Sequence, residues 1–197
     1  MNRTTPSPAH QPDPPTSRAV GIDSSWFGVI PSAHMLFRAW NAGEYVAADY
    51  PFPALVDIAV QMLDAHHHYR AAFSRLLGLP PGHTDSADID LLTDALHTAH
   101  RRIAQLIDRI DDHLARILAP PTHPTATCHR TGLGTEVSQL CGCWITAIDP
   151  TVPVEPDPEA HKSLFGRAVV YDLLAADVAA GKVYLPSRVP PPIRTRH

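Results

Sequence analysis

Histidine and cysteine are the residues of this chain best suited to chemistry on a small molecule. Three of the histidines are consecutive, at 66–68, and the three cysteines fall between 128 and 143. Cys128, His129, Cys141 and Cys143 suggest a metal cluster at first sight. Structural zinc sites use pairs separated by two to four residues, and Cys141-Gly142-Cys143 has one residue between its thiols. On a helix, residues two apart point about 200° away from each other, so the two thiols cannot share an ion and no metal is expected. Nucleophilic catalysis is the other chemistry open to this group. Cys128 would be the nucleophile, and it would need a histidine from elsewhere in the fold, because neighbours in sequence seldom face each other. His129 is the candidate acid-base group, since imidazole titrates near neutral pH.

Three further stretches could bind or react. His66, His67 and His68 are consecutive, so on a helix they fan around its circumference and few can face one site. His66 lies on the apolar stripe, as a core histidine or a ligand-binding one. Asp94-x-x-His97 imitates half of a di-metal carboxylate motif, but only one copy is present and it lies off the apolar seam. A solvated face explains it better. Arg130-Thr131-Gly132-Leu133-Gly134-Thr135 leads into a helical stretch. Glycine-rich backbone at a helix start can cradle an anion, with Arg130 adding charge, so Arg130, Gly132 and Gly134 are candidate ligand-binding residues. The stretch lacks the preceding strand and third glycine of a dinucleotide fingerprint. There is no Walker loop and no Gly-x-Ser-x-Gly elbow. No cofactor is expected.

The elements that must position these residues read as helical. Ser32 is a suitable N-cap for a short helix carrying Leu36, Phe37 and Trp40 and ending at Gly43. A second helix starts near Pro53 and ends at Gly78, its stripe running through Leu55, Ile58, Met62, His66, Tyr69, Phe73, Leu76 and Leu77. The third carries the strongest pattern. Ile89, Leu96, Ile103, Ile110 and Ile117 lie seven residues apart, with Leu92, Ala99, Leu106 and His113 at the offset positions. This heptad predicts a long helix beside a near-parallel partner, capped by Asp85, Ser86 or Asp88 and stopped by Pro120. A fourth helix fits residues 135–148, with Thr135 as cap, and a fifth fits 159–180, ended by Gly181. Residues 181–185 are the nearest approach to a strand. The fold class is all-α, a bundle of four to five helices with one long heptad-patterned helix.

Residues 1–19 and 187–197 are proline-rich and are expected to be disordered tails around a single domain over 30–186. The formal net charge of -4 over 197 residues argues against a general nucleic-acid binder. No apolar run is long enough to span a bilayer, and the polar N-terminus is no secretory signal. With three cysteines, an odd number, there is no disulfide framework. A cytoplasmic location is expected. Only Lys162 and Lys182 are lysines among 16 basic residues, so arginine dominates. That bias, with abundant alanine and proline, is what a GC-rich genome imposes, and it supplies a bland origin for the 13 histidines.

Three stretches together resemble a known family. They are Ile30-Pro31-Ser32 with Met35-Leu36-Phe37, the segment from His129 to Leu140, and the run from Tyr171 to Gly181 before Leu185-Pro186. The whole is similar to the helical bacterial family catalogued as domain of unknown function 4254, in its actinobacterial form, over about residues 30–186. His129, Leu133, Gly134, Val137 and Leu140 match that family's central motif. Arg130, Thr131 and Gly132 stand where Thr-Glu-Thr is usual, and Ser138-Gln139 where Asp-Arg is usual. The resemblance therefore implies a shared all-α architecture more than a shared activity.

Two functional readings compete. In the first, the chain is a small-molecule-binding or accessory protein beside a bacterial specialised-metabolite (antibiotic-type) biosynthetic pathway. Its partner is a small ligand or a pathway protein, and its ligand pocket lies near Arg130, Gly134 and His66. In the second it is a cofactor-independent transferase or hydrolase, with His129 as acid-base group, Arg130 as anion anchor, and Cys128 or Asp172 in support. A structural helical oligomer is a third reading, and a homodimer through the heptad helix is its natural form. A pocket in which His129 and an acid converge would favour the enzyme. A pocket without that convergence would favour the binder, and an exposed apolar seam would favour the oligomer.

Overall fold

The computed structural model describes residues 30–42, 50, 52–80, 85–118, 123–148 and 158–186. The tails expected to be disordered, and the stops at Gly43 and Pro120, lie outside the described residues. Five helices and one pair of two-residue strands make up the fold: α1 Ala33–Asn41, α2 Pro53–Leu77, α3 Ser86–Ile117, β1 Thr127–Cys128, α4 Leu133–Ile148, α5 Pro158–Ala179 and β2 Val183–Tyr184. The fold is all-α, as its periodicities predict.

The long helices α2 and α3 form an antiparallel hairpin, and α4 lies against both. α5 covers α4, and α1 closes the bundle between α2 and α5. One core runs through all of them, built on Leu36, Met62, Leu106, Ile110, Leu140 and Tyr171. The heptad of α3 is spent inside the molecule, from Ile103 onward on this core. Its buried residues are Leu92, Ala99, Ile103, Leu106, Ile110 and Leu114. Leu114 replaces His113 at the last turn, and Ile117 is exposed. An α-helix of 3.6 residues per turn drifts off a strict seven-residue repeat, so the buried line leaves the heptad within a few turns. The seam read as partner-facing thus faces α2 and α4 of the same chain.

The helix ends follow capping chemistry, with one departure. Ser32 Oγ accepts from the Met35 N–H at 3.3 Å, and Asp85 Oδ1 accepts from Ala87 N–H at 3.0 Å. Gly181 takes a left-handed φ of 65° after α5, where glycine avoids the Cβ clash. The departure is α4, which begins at Leu133 rather than at a Thr135 cap. Asp111, from α3, accepts the Gly134 N–H at 2.8 Å on Oδ1. A carboxylate from a neighbouring helix supplies the cap, and the helix gains the intervening residues.

α1 is tied down by its neighbours. The Tyr171 hydroxyl, fully buried, donates to the Pro31 carbonyl at 2.8 Å. Trp40 Nε1 donates to the Ala59 carbonyl at 2.9 Å. Phe37 stacks on Trp144 of α4 with ring centroids 4.8 Å apart.

Candidate functional site

The loop before α4 is stitched to the segment after α5. β1 and β2 pair in parallel, Thr127 with Val183 and Cys128 with Tyr184. The His129 N–H donates to the Tyr184 carbonyl at 2.9 Å. This fixes the backbone of His129, and its half-buried ring is then held by Thr131. His129 Nδ1 lies 2.9 Å from the Thr131 carbonyl oxygen and 3.2 Å from Thr131 Oγ1. The Thr131 hydroxyl donates to Glu136 Oε1 at 2.9 Å, and Arg167 Nη1 donates to Glu136 Oε2 at 3.2 Å. A continuous path runs from His129 through Thr131 and Glu136 to Arg167, across the loop, α4 and α5.

Nδ1 meets both kinds of partner on Thr131: it lies 2.9 Å from the carbonyl oxygen and accepts from the backbone N–H at 3.3 Å. These contacts hold the ring in one orientation and leave Nε2 outside them.

Glu136 is the buried charge of α4, 6% exposed. A buried carboxylate is costly without partners. Here it has a hydroxyl and a guanidinium. Arg167 in turn lines a groove of about 380 Å³ between α4 and α5, with Gln139, Gly142, Cys143, Thr146 and Ser163. The Cys143 thiol and Ser163 hydroxyl face each other there at 4.0 Å.

The other candidates from the sequence are placed as follows. The glycines do not cradle a ligand. The Gly132 position lies against the Asp111 carboxylate, and Gly134 lies against the Ile107 backbone, with no room at either for a Cβ. The anion at the α4 N-terminus is the chain's own Asp111, which corrects the ligand-binding expectation for Gly132 and Gly134. Arg130 is exposed beside this closed turn. Cys128 is exposed, and its thiol turns onto the His129 carbonyl at 3.4 Å. Asp172 is a structural cap. Its Oδ1 accepts the Ala33 N–H at 2.8 Å, holding the start of α1. Burial raises its carboxyl above the ordinary range, opposed by that hydrogen bond and by the nearby His34. Asp172 therefore works on α1, while the acid tied to His129 is Glu136. Among the described residues, no group of three or more His, Cys, Asp or Glu side chains gathers to hold a metal ion.

His66 is half-buried between α2 and α4. Its Nε2 lies 2.9 Å from Ser138 Oγ on α4. Burial, with His67 as the lesser cause, lowers it from 6.5 to about 4. A depressed folded value means that the unfolded chain binds the proton first. The His66 contribution is thus complete above about pH 6.5 and is lost as pH falls towards 4. At 1.36 kcal/mol per pKa unit the loss is on the order of 2–3 kcal/mol. Urea unfolding at pH 7 and pH 4.5 should show the wild type losing clearly more stability than His66→Asn. Equal losses would remove His66 as the titrating group.

Glu136, Thr131, Arg167 and Asp111 were missed in the sequence. One signal was available for Arg167. It sits three residues after Leu164 and four before Tyr171, on the buried stripe of α5, where a charge requires a buried partner. Comparisons with family models, curated proteins and solved structures find no match to this chain. Among the described residues, no helix is long and apolar enough to cross a membrane.

Proposed function

We propose that this chain is a small-molecule-binding or accessory protein whose ligand seat is the α4–α5 groove. The observation that carries this reading is the groove cation Arg167, fixed from behind by the buried Glu136. A guanidinium has five N–H donors in a rigid fork, and Glu136 engages its Nη1 side, so donors remain for a ligand oxygen. Because Glu136 offsets the charge, a small molecule presenting one carboxylate fits better than a polyanion. Gln139, Thr146, Ser163 and Cys143 offer the polar contacts that would orient it. His129 is not among the groove-lining residues. The pocket exists without convergence of His129 and an acid, which favours a binder over an enzyme. Two further expectations belong to the same proposal. The place beside a bacterial specialised-metabolite pathway rests on the arginine-rich composition. The likeness to the family of domain of unknown function 4254 is carried largely by Leu133, Gly134, Val137 and Leu140, which pack α4 into the core.

A thermal-shift screen with small carboxylates, phosphates and nucleotides tests this on three proteins: wild type, Gly142→Leu and His129→Ala. Nothing lies within 4 Å of a Cβ added at Gly142, so leucine there fills the groove and leaves the helix intact. A carboxylate at 100 times its Kd should add about 2.7 kcal/mol of stability, raising the melting temperature of wild type and His129→Ala but not of Gly142→Leu. A shift kept in Gly142→Leu and lost in His129→Ala would move the site to His129. No shift with any compound would sink the binding reading.

A second reading, a cofactor-independent transferase or hydrolase, draws support from the oriented His129 ring. Nδ1 is engaged by Thr131, which leaves Nε2 as the group to move a proton. Turnover of activated esters abolished by His129→Gln, with unchanged thermal stability, would favour it. Equal turnover in both proteins would end it.

A further inference from the structure

Two arginines of α3 meet on a neutral atom. Arg102 Nη2 and Arg109 Nη1 both donate to Gln61 Oε1 of α2, at 2.7 and 3.0 Å. The amide is held in that orientation from behind, because Gln61 Nε2 donates to Asp57 Oδ2 at 2.8 Å. Neither guanidinium has a carboxylate partner among the described residues. Two positive charges thus converge on an oxygen that carries only a dipole, and like charges brought together repel. A guanidinium has five N–H donors. Gln61 engages one on each arginine, and both arginines are exposed.

The clamp stands at one end of a trough. Gln61, Ala65, His68, Ala72 and Arg75 fall on one line of α2, opposite to His66 and Arg70, which reach α4. Facing it on α3 is the line of Leu91, Ala95, Thr98 and Arg102. Between the two lines lies a cavity of about 520 Å³, within the roughly 300–1,000 Å³ of small-molecule sites. Its floor is Ala65, Ala72, Leu92 and Ala99, all buried. From Ala65 to Arg75 the helix advances about 15 Å. Charge is spread unevenly over that length. The far end carries one cation and one anion, Arg75 and Asp94. The clamp end carries two guanidiniums against one carboxylate, Asp57.

We propose that this trough binds a phosphate monoester of an apolar alcohol, with its head on Arg102 and Arg109 and its tail along the alanine floor. A phosphate monoester carries about −1.5 to −2 charge at pH 7, which matches the surplus of the clamp. Its oxygens point in several directions, so it can take forks from two guanidiniums that reach Gln61 from positions seven residues apart. The floor takes the rest of the molecule. An apolar lining with a few placed polar groups is the usual division of a ligand site. The trough lies on the α2–α3 hairpin and shares no lining residue with the α4–α5 groove.

Titration calorimetry of the full chain with decyl phosphate, kept below its micelle concentration, tests the proposal. The wild type should bind one molecule per chain. Inorganic phosphate, which lacks the tail, and decyl glucoside, which lacks the charge, should each bind about tenfold or more weaker. Arg102→Gln should weaken decyl phosphate by a similar factor. The double variant Asp57→Asn with Gln61→Glu is the sharper test. It keeps the net charge and the hydrogen bond between the two side chains, with donor and acceptor exchanged. It also moves the negative charge onto the atom that both arginines meet. An internal anion then competes with the phosphate, and binding should again fall about tenfold or more. Circular dichroism checks that both variants fold. Ala95→Leu narrows the trough at an exposed helix position and should weaken the tailed ligand alone. Gly142→Leu, which fills the α4–α5 groove, should bind as the wild type does. No binding by the wild type, or unchanged binding in the double variant, would overturn the clamp. Decyl glucoside as tight as decyl phosphate would do the same. Unchanged binding in Ala95→Leu, or loss in Gly142→Leu, would overturn the trough as the seat. Vesicles containing phosphatidic acid should leave the chain in solution. Co-sedimentation lost in Arg102→Gln would replace the soluble ligand with a membrane surface.

Discussion

Gly134→Ala should cost about 3 kcal/mol of stability, the upper part of the range for overpacking a core. An added Cβ would sit 2.9 Å from the Ile107 Cα and 3.0 Å from its carbonyl carbon, with the Ile107 carbonyl oxygen closer still. These are backbone atoms of α3 and cannot rotate away as a side chain would. Relief requires α4 to move off α3. That would stretch the 2.8 Å bond from the Gly134 N–H to Asp111 and open the contacts of Leu133, Val137 and Leu140 with the core. At roughly 3–4 °C per kcal/mol for a domain of this size, the melting temperature should fall by about 10 °C. The same substitution eight residues along the same helix supplies the control. Gly142 has open space around it, so Gly142→Ala should gain about 0.5–1 kcal/mol from helix propensity alone. Opposite signs for one chemical change on one helix would isolate the α3–α4 approach as the cause. A Gly134→Ala protein as stable as wild type would show that the approach is not what the glycine is for.

Gly134 also shows where the sequence stops being informative. Glycines before a helix mean either an anion cradle or a close approach of backbone, and the local sequence is the same in both cases. The partner that decides between them is Asp111, 23 residues away on another helix. The same holds for Asp172 and Ala33, which lie 139 residues apart. Of these two carboxylates only Asp172 was legible as a residue capable of chemistry. Its actual use as a cap depends on a contact between elements that no local pattern encodes.

The apolar layout was far more legible, because periodicity is local. Ser32 and Asp85 act as caps, and α2 runs from Pro53 to Leu77 with Gly78 behind it. The stripe of α2 is buried through Leu55, Ile58 and Met62, and His66, half-buried, is bonded to Ser138. Its end is not: Phe73 and Leu77 are exposed. The hairpin of α2 and α3 outruns the shorter α4, so its last turns lack a third layer to cover them. The heptad of α3 was read correctly as a packing seam. Its partner proved to be the chain's own second helix, a choice that the repeat leaves open.

Arg167→Leu should cost about 2–3 kcal/mol at neutral pH, and most of that loss should come from Glu136. Removing one partner of a fully buried ion pair costs about 3–5 kcal/mol. Arg167 keeps 35% of its side chain exposed against 8% for Glu136, so the cost falls to the bottom of that range or just below it. The two partners are unequal for the same reason. Without Arg167 the Glu136 carboxylate stays buried with the Thr131 hydroxyl at 2.9 Å, whereas without Glu136 the guanidinium can turn to water. Glu136→Gln alone should therefore cost about 1 kcal/mol, the worth of an ordinary hydrogen bond. The double variant should be more stable than Arg167→Leu by about 1 kcal/mol or more, a coupling expected of contacting residues. Urea unfolding of the four proteins measures the cycle. Additive losses would mean that the two groups do not stabilise one another. The double variant also separates structure from function at the groove. It removes the cation without leaving a buried charge behind, so a carboxylate that binds through Arg167 should no longer raise its melting temperature. The same carboxylate should still raise that of Gly142→Ala, in which one methyl group is added and Arg167 is untouched. If the double variant responds as the wild type does, the pair holds α4 to α5 and plays no part in binding.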